Sequence, residues 1–284
     1  MVARIELSRF GEKPLKLVPS CILIVATDGG MGSPLGMGGM GDGEMGGMTM
    51  KSYQRVLIEE CGEKLVPIPL EKFAVESPHP YQLLGAIYHK KSPYYLRQSV
   101  VESLLQAQIQ LQLSYPHWQI QIFDAYRPIS VQQFMVDYTF AQAIEAQGLK
   151  AENLSQLQRD RIWEQVYQIW ASPSHDPRTP PPHSTGAAVD ITLVDDTGNT
   201  VNMGSPIDEL SARSHPDYFA NSSDPVEQQY HARRQLLKDV MYSAGFTRHP
   251  DEWWHFSLGD QMWAWLKNQD NPSYNAVARY GCVD

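Results

Sequence analysis

Apolar and polar positions along this chain follow two periods. From Trp118 to Phe123 they alternate residue by residue, the pattern of a strand with one solvated face. The alternation returns where Val189, Ile191 and Leu193 interleave with Ala188, Asp190 and Thr192. A strand over 187–194 that turns its aliphatic set to the core presents Asp190 on its other face. The helical period appears in Leu96, Val100, Val101, Leu104, Leu105 and Ile109, predicting a helix from Ser92-Pro93 to about Leu113. Two more helices are expected over about 129–147 and 153–171, the second buried through Ile162, Val166 and Ile169. Asp224-Pro225-Val226-Glu227 joins a cap, a first-turn proline and an early carboxylate, and starts a helix that Gly245 ends. A last short helix spans Gly259 to Lys267. Residues 51–91 read as short strands and loops, and Asp195–Asn199 as a turn after which Thr200–Met203 pairs back as a hairpin. Aromatic content favours a strand over Glu252–Phe256, whereas a short helix would bring Glu252 and His255 to one side; the pattern leaves both open. Together these elements predict an α+β domain over 51–284, a small, largely antiparallel sheet flanked by helices.

Composition narrows the function. The chain has 284 residues and a net charge of −9, which argues against nucleic acid or an anionic membrane as partner. No apolar run approaches the ~20 residues of a membrane span. Cys21, Cys61 and Cys282 show no metal-ligand spacing, and read as reduced thiols they point to the cytoplasm, with a periplasmic or secreted location as the alternative. Residues 1–50 form an N-terminal extension. Four basic residues before Cys21–Ala26 resemble a signal peptide only loosely, since the apolar run is short and has no cleavage site. Residues 28–50 hold ten of the 20 glycines and six of the 11 methionines, so disorder is expected there. Thioether copper binding and a translation start at Met48 or Met50 are further readings of that stretch.

Candidate chemistry gathers in two places. His183-Ser184-Thr185-Gly186-Ala187-Ala188-Val189-Asp190 sets a histidine, a glycine turn and a carboxylate at a strand start. Asp251-Glu252-Trp253-Trp254-His255 adds a second histidine with a nearby glutamate. Two His and one Asp suit a catalytic zinc, which takes three protein ligands and keeps an open position, whereas structural zinc is closed by four. Glu252 is then free as general base. Upstream, Asp124-Ala125-Tyr126-Arg127-Pro128 ends a strand, where functional side chains are often displayed. It reads either as an ion pair holding a turn or, beside a metal, as a guanidinium for a developing oxyanion.

These three motifs, in this order, resemble the zinc D-alanyl-D-alanine dipeptidase family, which includes the vancomycin-resistance dipeptidases and is related to zinc D-Ala-D-Ala carboxypeptidases. The resemblance runs from about Tyr81 to Trp265. It implies one zinc per chain held by His183, Asp190 and His255, with Glu252 as base and Arg127 stabilising the transition state. It also implies Asp124 as the residue that orients Arg127. The family's Met-Gly-x-x-x-Asp segment maps onto Met203–Asp208 and makes Asp208 the anchor for the free amino group of a small dipeptide. The chain departs from the pattern just before His183. A serine that binds the substrate carboxylate in the vancomycin-type enzymes is replaced here by Pro181, followed by Pro182, and neither can donate a hydrogen bond. Ser184, Tyr94 and Tyr95 are the candidates to take over. The rival readings are a zinc carboxypeptidase or endopeptidase on longer peptidoglycan peptides, and a non-catalytic zinc module. Oligomeric state is not legible.

Overall fold

The protein is described by a computed structural model over residues 50–89 and 91–283. The Gly/Met-rich stretch up to residue 49, Cys21 and the signal-like segment lie outside the described residues.

The strands are β1 (Leu65–Pro67), β2 (Ala74–Val75), β3 (Tyr95–Arg97), β4 (Gln119–Asp124), β5 (Ala188–Val194), β6 (Thr247–Arg248) and β7 (His255–Ser257). The helices are α1 (Pro80–Leu83), α2 (Gln98–Ser114), α3 (Ile129–Ala146), α4 (Gln156–Ile169), α5 (Pro225–Ser243) and α6 (Gln261–Asp270). Five strands form one sheet in the order β2-β4-β5-β7-β6, antiparallel except for the β2–β4 pair. β1 and β3 form a separate antiparallel pair. The α+β architecture expected from the patterns is present. Val189, Ile191 and Leu193 are fully buried in the main core, as the alternation requires.

Three local expectations fail, each for a reason visible in the hydrogen bonding. No helix starts at Ser92-Pro93; the chain is extended through Arg97 first. There Val66 pairs with Leu96, the Arg97 amide donates to the Gly186 carbonyl at 2.8 Å, and the Gln98 amide donates to the Lys64 carbonyl at 3.1 Å. Those partners satisfy the backbone in extended form, and α2 begins once they are used. The strand at 119–124 has no wet face, because it lies between β2 and β5 and its second face is covered as well. Gln121 is buried there, and its carbonyl accepts from the Thr200 hydroxyl at 2.8 Å. The hairpin expected at 200–203 is reduced to a single bridge between Val194 and Thr200. Gly186 has a left-handed φ of +71°, so the turn after His183 needs glycine, and a Cβ there would also push the end of the Leu65 side chain aside.

Candidate metal and catalytic centre

Sheet register does much of the assembly. A bulge between Ile122 and Asp124 shifts the β4–β5 pairing, so that Asp124 lies opposite Asp190. Asp190 in turn lies opposite His255 on β7. Three polar side chains thus stand in one rank across the three central strands, where an unshifted register would have placed Phe123 opposite Asp190. His183 arrives from the short helical turn Pro182–Thr185. That turn is tightened by the hydroxyls of Ser184 and Thr185, which donate to the carbonyls of Pro181 and Pro182 at 2.8 and 2.6 Å.

The three candidate ligands face one another across short gaps. His183 Nε2 is 3.2 Å from His255 Nδ1 and 3.2 Å from an Asp190 oxygen; His255 Nδ1 is 3.0 Å from the other Asp190 oxygen. His183 Nδ1 lies 2.7 Å from the Ala125 carbonyl, so the ring proton sits on Nδ1 and donates to it. His255 Nε2 lies 3.4 Å from Ser257 Oγ, whose hydroxyl donates to Asp260 at 2.9 Å. Each outward contact fixes a tautomer that leaves a lone pair pointing inward. Two lone pairs and a carboxylate, all buried, then converge without a proton to share among them all. A cation resolves that repulsion. The separations are close to the roughly 3.3 Å ligand-to-ligand edge that tetrahedral zinc bonds of ~2.0–2.1 Å require. Nitrogen and oxygen donors without sulfur also suit it. The residues present therefore fit a divalent ion, and among the described residues theirs is the one such cluster.

Glu252 lies in the turn before β7, not within a strand, and this removes the conflict between its direction and that of His255. Its carboxylate is 3.8 Å from His255 Nδ1 and 3.9 Å from His249 Nδ1. Burial, together with the charges of Asp190 and Asp208, raises its pKa well above the usual range. Burial would raise the Asp190 pKa too, but His183 and His255 outweigh it and hold that carboxyl ionised.

Arg127 is buried, and four of its five N–H donors are engaged. Its Nε donates to Asp124 at 2.8 Å, Nη1 to Gln132 at 2.9 Å, and Nη2 to the Tyr81 hydroxyl at 3.2 Å and Asp190 at 3.1 Å. The ion-pair reading of the Asp124–Arg127 motif holds, and the guanidinium also borders the candidate metal ligands. Asp124 also meets His79 and the Tyr88 hydroxyl, each at 3.1 Å. Asp208 adopts a left-handed backbone (φ +61°), which aspartate tolerates better than most residues. It accepts from the Tyr81 hydroxyl at 2.7 Å. Burial and the nearby Asp190 push its pKa up to about 7.

All seven residues picked out in the sequence thus meet in one region. Sequence reasoning missed Tyr81, Gln132, His79 and His249, which arrive from α1, α3 and two loops without any motif to mark them. The proposed replacements for the missing serine fail: the Ser184 hydroxyl is spent on Pro181, Tyr94 donates to the Glu76 carbonyl at 2.6 Å, and neither they nor Tyr95 lines the central cavity.

A buried His/Asp/His cluster with an adjacent glutamate, at the centre of a small α+β sheet, defines the class of a metallohydrolase. The profile of peptidase family M15, described as D-Ala-D-Ala dipeptidase, matches residues 75–276, and the chain belongs to this family. It is 53% identical over 241 residues to the D-alanyl-D-alanine dipeptidase of Synechocystis, covering 83% of this chain and 98% of that protein. It is also 41% identical over 80 residues to the D-alanyl-D-alanine dipeptidase of Enterococcus faecium, covering 28% of this chain and 37% of that one. Among solved structures, the vancomycin-resistance D,D-pentapeptidase VanY in complex with Zn(II) is matched at a TM-score of 0.38 and 16% identity, over 78% of this chain and 95% of that one.

Proposed function

We propose that this protein is a zinc-dependent dipeptidase that hydrolyses D-alanyl-D-alanine or a similar D,D-dipeptide. The observation that carries the reading is the pair of buried carboxylates beside the His183–Asp190–His255 cluster. Glu252 has no hydrogen-bond donor of its own among the described residues, and Asp208 accepts from Tyr81 alone. The 53% identity to the Synechocystis dipeptidase supports it.

His183, Asp190 and His255 would hold the zinc ion, which would supply Lewis acidity for a water nucleophile and the scissile carbonyl near neutral pH. Glu252 takes the proton from the attacking water and returns it to the leaving amine. Its raised pKa suits a group that must both accept and release a proton. Arg127, locked by Asp124, Gln132 and Tyr81, puts a fixed positive charge at the wall where the carbonyl oxygen gains charge. Asp208 pairs with the free amino group and so selects a dipeptide over a blocked or longer chain.

Hydrolysis of D-Ala-D-Ala beside N-acyl-D-Ala-D-Ala tests the reading, with and without chelator and then with zinc restored. Chelator-sensitive cleavage of the free dipeptide alone is expected. Cleavage of the blocked peptide would instead support a carboxypeptidase. Changing Glu252 to Ala should leave zinc bound and lower the rate about 10²–10⁴-fold.

A further inference from the structure

A zwitterionic dipeptide has two charged ends, and the site described so far serves one of them. Asp208 answers the ammonium. Arg127 already faces the carbonyl oxygen in the proposed reaction, and four of its five N–H donors go to Asp124, Gln132, Tyr81 and Asp190. Pro181 and Pro182 have none to offer.

The central cavity is walled in part by Lys51 and Tyr53, from the short helical turn Ser52–Arg55 and the residue before it. This segment precedes residue 75, where the family match begins. The Lys51 ammonium donates to the Tyr167 carbonyl at 3.2 Å, which leaves two of its three donors uncommitted. No carboxylate lies within 4.0 Å of it among the described residues. The Tyr53 hydroxyl has no hydrogen-bond partner among them either, and burial, Asp260 and Glu252 push its pKa well above the ordinary value, so it stays a donor. Lys51 and Asp208 both line this cavity, together with His183, Asp190, His255 and Glu252.

We infer that Lys51, with Tyr53 beside it, binds the C-terminal carboxylate of the substrate, in place of the serine this chain lacks. The inference rests on the dipeptidase reading for its ligand. It makes Lys51 a specificity-determining residue: the protein distinguishes a free C-terminus from an amidated one, as Asp208 distinguishes a free amino group from a blocked one.

Binding tests this separately from turnover. D-Ala-D-Ala and its C-terminal amide are titrated into zinc-loaded Glu252→Ala protein, with Lys51 intact, with Lys51→Met and with Lys51→Arg. With Lys51 the acid should bind about 10–100-fold tighter than the amide, the worth of a charge-assisted hydrogen bond. Lys51→Met should abolish that preference by weakening the acid alone, and Lys51→Arg should keep most of it. A preference for the acid that survives Lys51→Met overturns the inference. So does a parent protein with no preference, or a variant that weakens acid and amide equally. Turnover by the unaltered protein is read independently: absent turnover with a Lys51-dependent preference would sink the hydrolase reading and leave Lys51 as the carboxylate anchor.

Discussion

Arg127 and Arg234 are both buried, and both are packed against two aromatic rings, yet they live in opposite electrostatic worlds. Arg127 lies over Tyr81 and Trp170 and is ringed by acids, with Asp124 and Asp190 in direct contact. Burial alone would lower its pKa; the surrounding charges more than reverse this and raise it well above normal. Arg234 lies over Phe219 and Trp253 and touches no carboxylate. It donates instead to the carbonyls of Met203, His215 and Arg213 at 2.8, 2.9 and 2.9 Å, and to Ser205 Oγ at 3.1 Å. Burial, with Arg248 nearby, pulls its pKa down. One guanidinium balances charge where charge must be handled. The other uses its fork as a rigid crosslink among neutral oxygens.

That contrast is open to direct attack. The largest effect belongs to Arg127→Met. It strips the counter-charge from three buried acids, so stability should fall by about 3–5 kcal/mol. Turnover should fall a further 10²–10³-fold or so beyond any unfolding. Steady-state kinetics on the folded fraction would show it, and undiminished kcat would make Arg127 structural like its counterpart. Arg234→Met comes next. Four oxygens lose their donor, and roughly 2–4 kcal/mol of stability should go with them. Zinc stoichiometry should stay at one, because no ligand is touched. Metal loss in that variant would erase the distinction between the two arginines.

The smallest effect sharpens the acid-rich side. Burial and the charge of Asp190 hold the Asp208 pKa at about 7 in the folded protein, against 3.8 in an unfolded chain. Between those values the folded protein holds a proton that the unfolded chain has released, so stability falls as pH rises through that window. The cost is complete above about pH 7. Asp208→Asn removes it, and its stability should gain on the parent's between pH 5 and pH 8 by about 2–3 kcal/mol, read from melting curves at each pH. Chelator-treated protein is needed, since a bound cation adds its own field. A pH-independent difference between the two proteins would mean that Asp208 is ionised throughout.

What the sequence revealed follows the same divide. Arg127 was legible because it sits three residues from Asp124 at a strand end, beside a proline. Arg234 was invisible: a basic residue midway along an amphipathic helix looks solvated until Met203 and Trp253 are seen to close over it. The candidate ligands could be picked out because His, Gly and Asp at those spacings carry chemical meaning on their own. Their shared rank on the sheet could not, since it depends on a bulge after Ile122 that alternation does not announce. The misjudged start of α2 has a related cause. Leu96 fits a helical stripe and a strand pair equally well, and distant partners, Val66 and Gly186, decide the matter. Lys51 lay beside a Gly/Met-rich segment and carried no motif at all.

The crosslink at Arg234 also has a mechanical side. Trp253 Nε1 donates to Ser205 Oγ at 2.9 Å, so the loop bearing Asp208 and the turn bearing Glu252 are fastened through one guanidinium and one hydroxyl. They form a single rigid jaw. The cavity in front of it shares Lys51, Tyr53, Ile169, His249 and Met262 with an outer cleft of about 670 Å³. The crosslink therefore holds the amine anchor and the base at one fixed spacing, whichever ligand comes to fill the space between them.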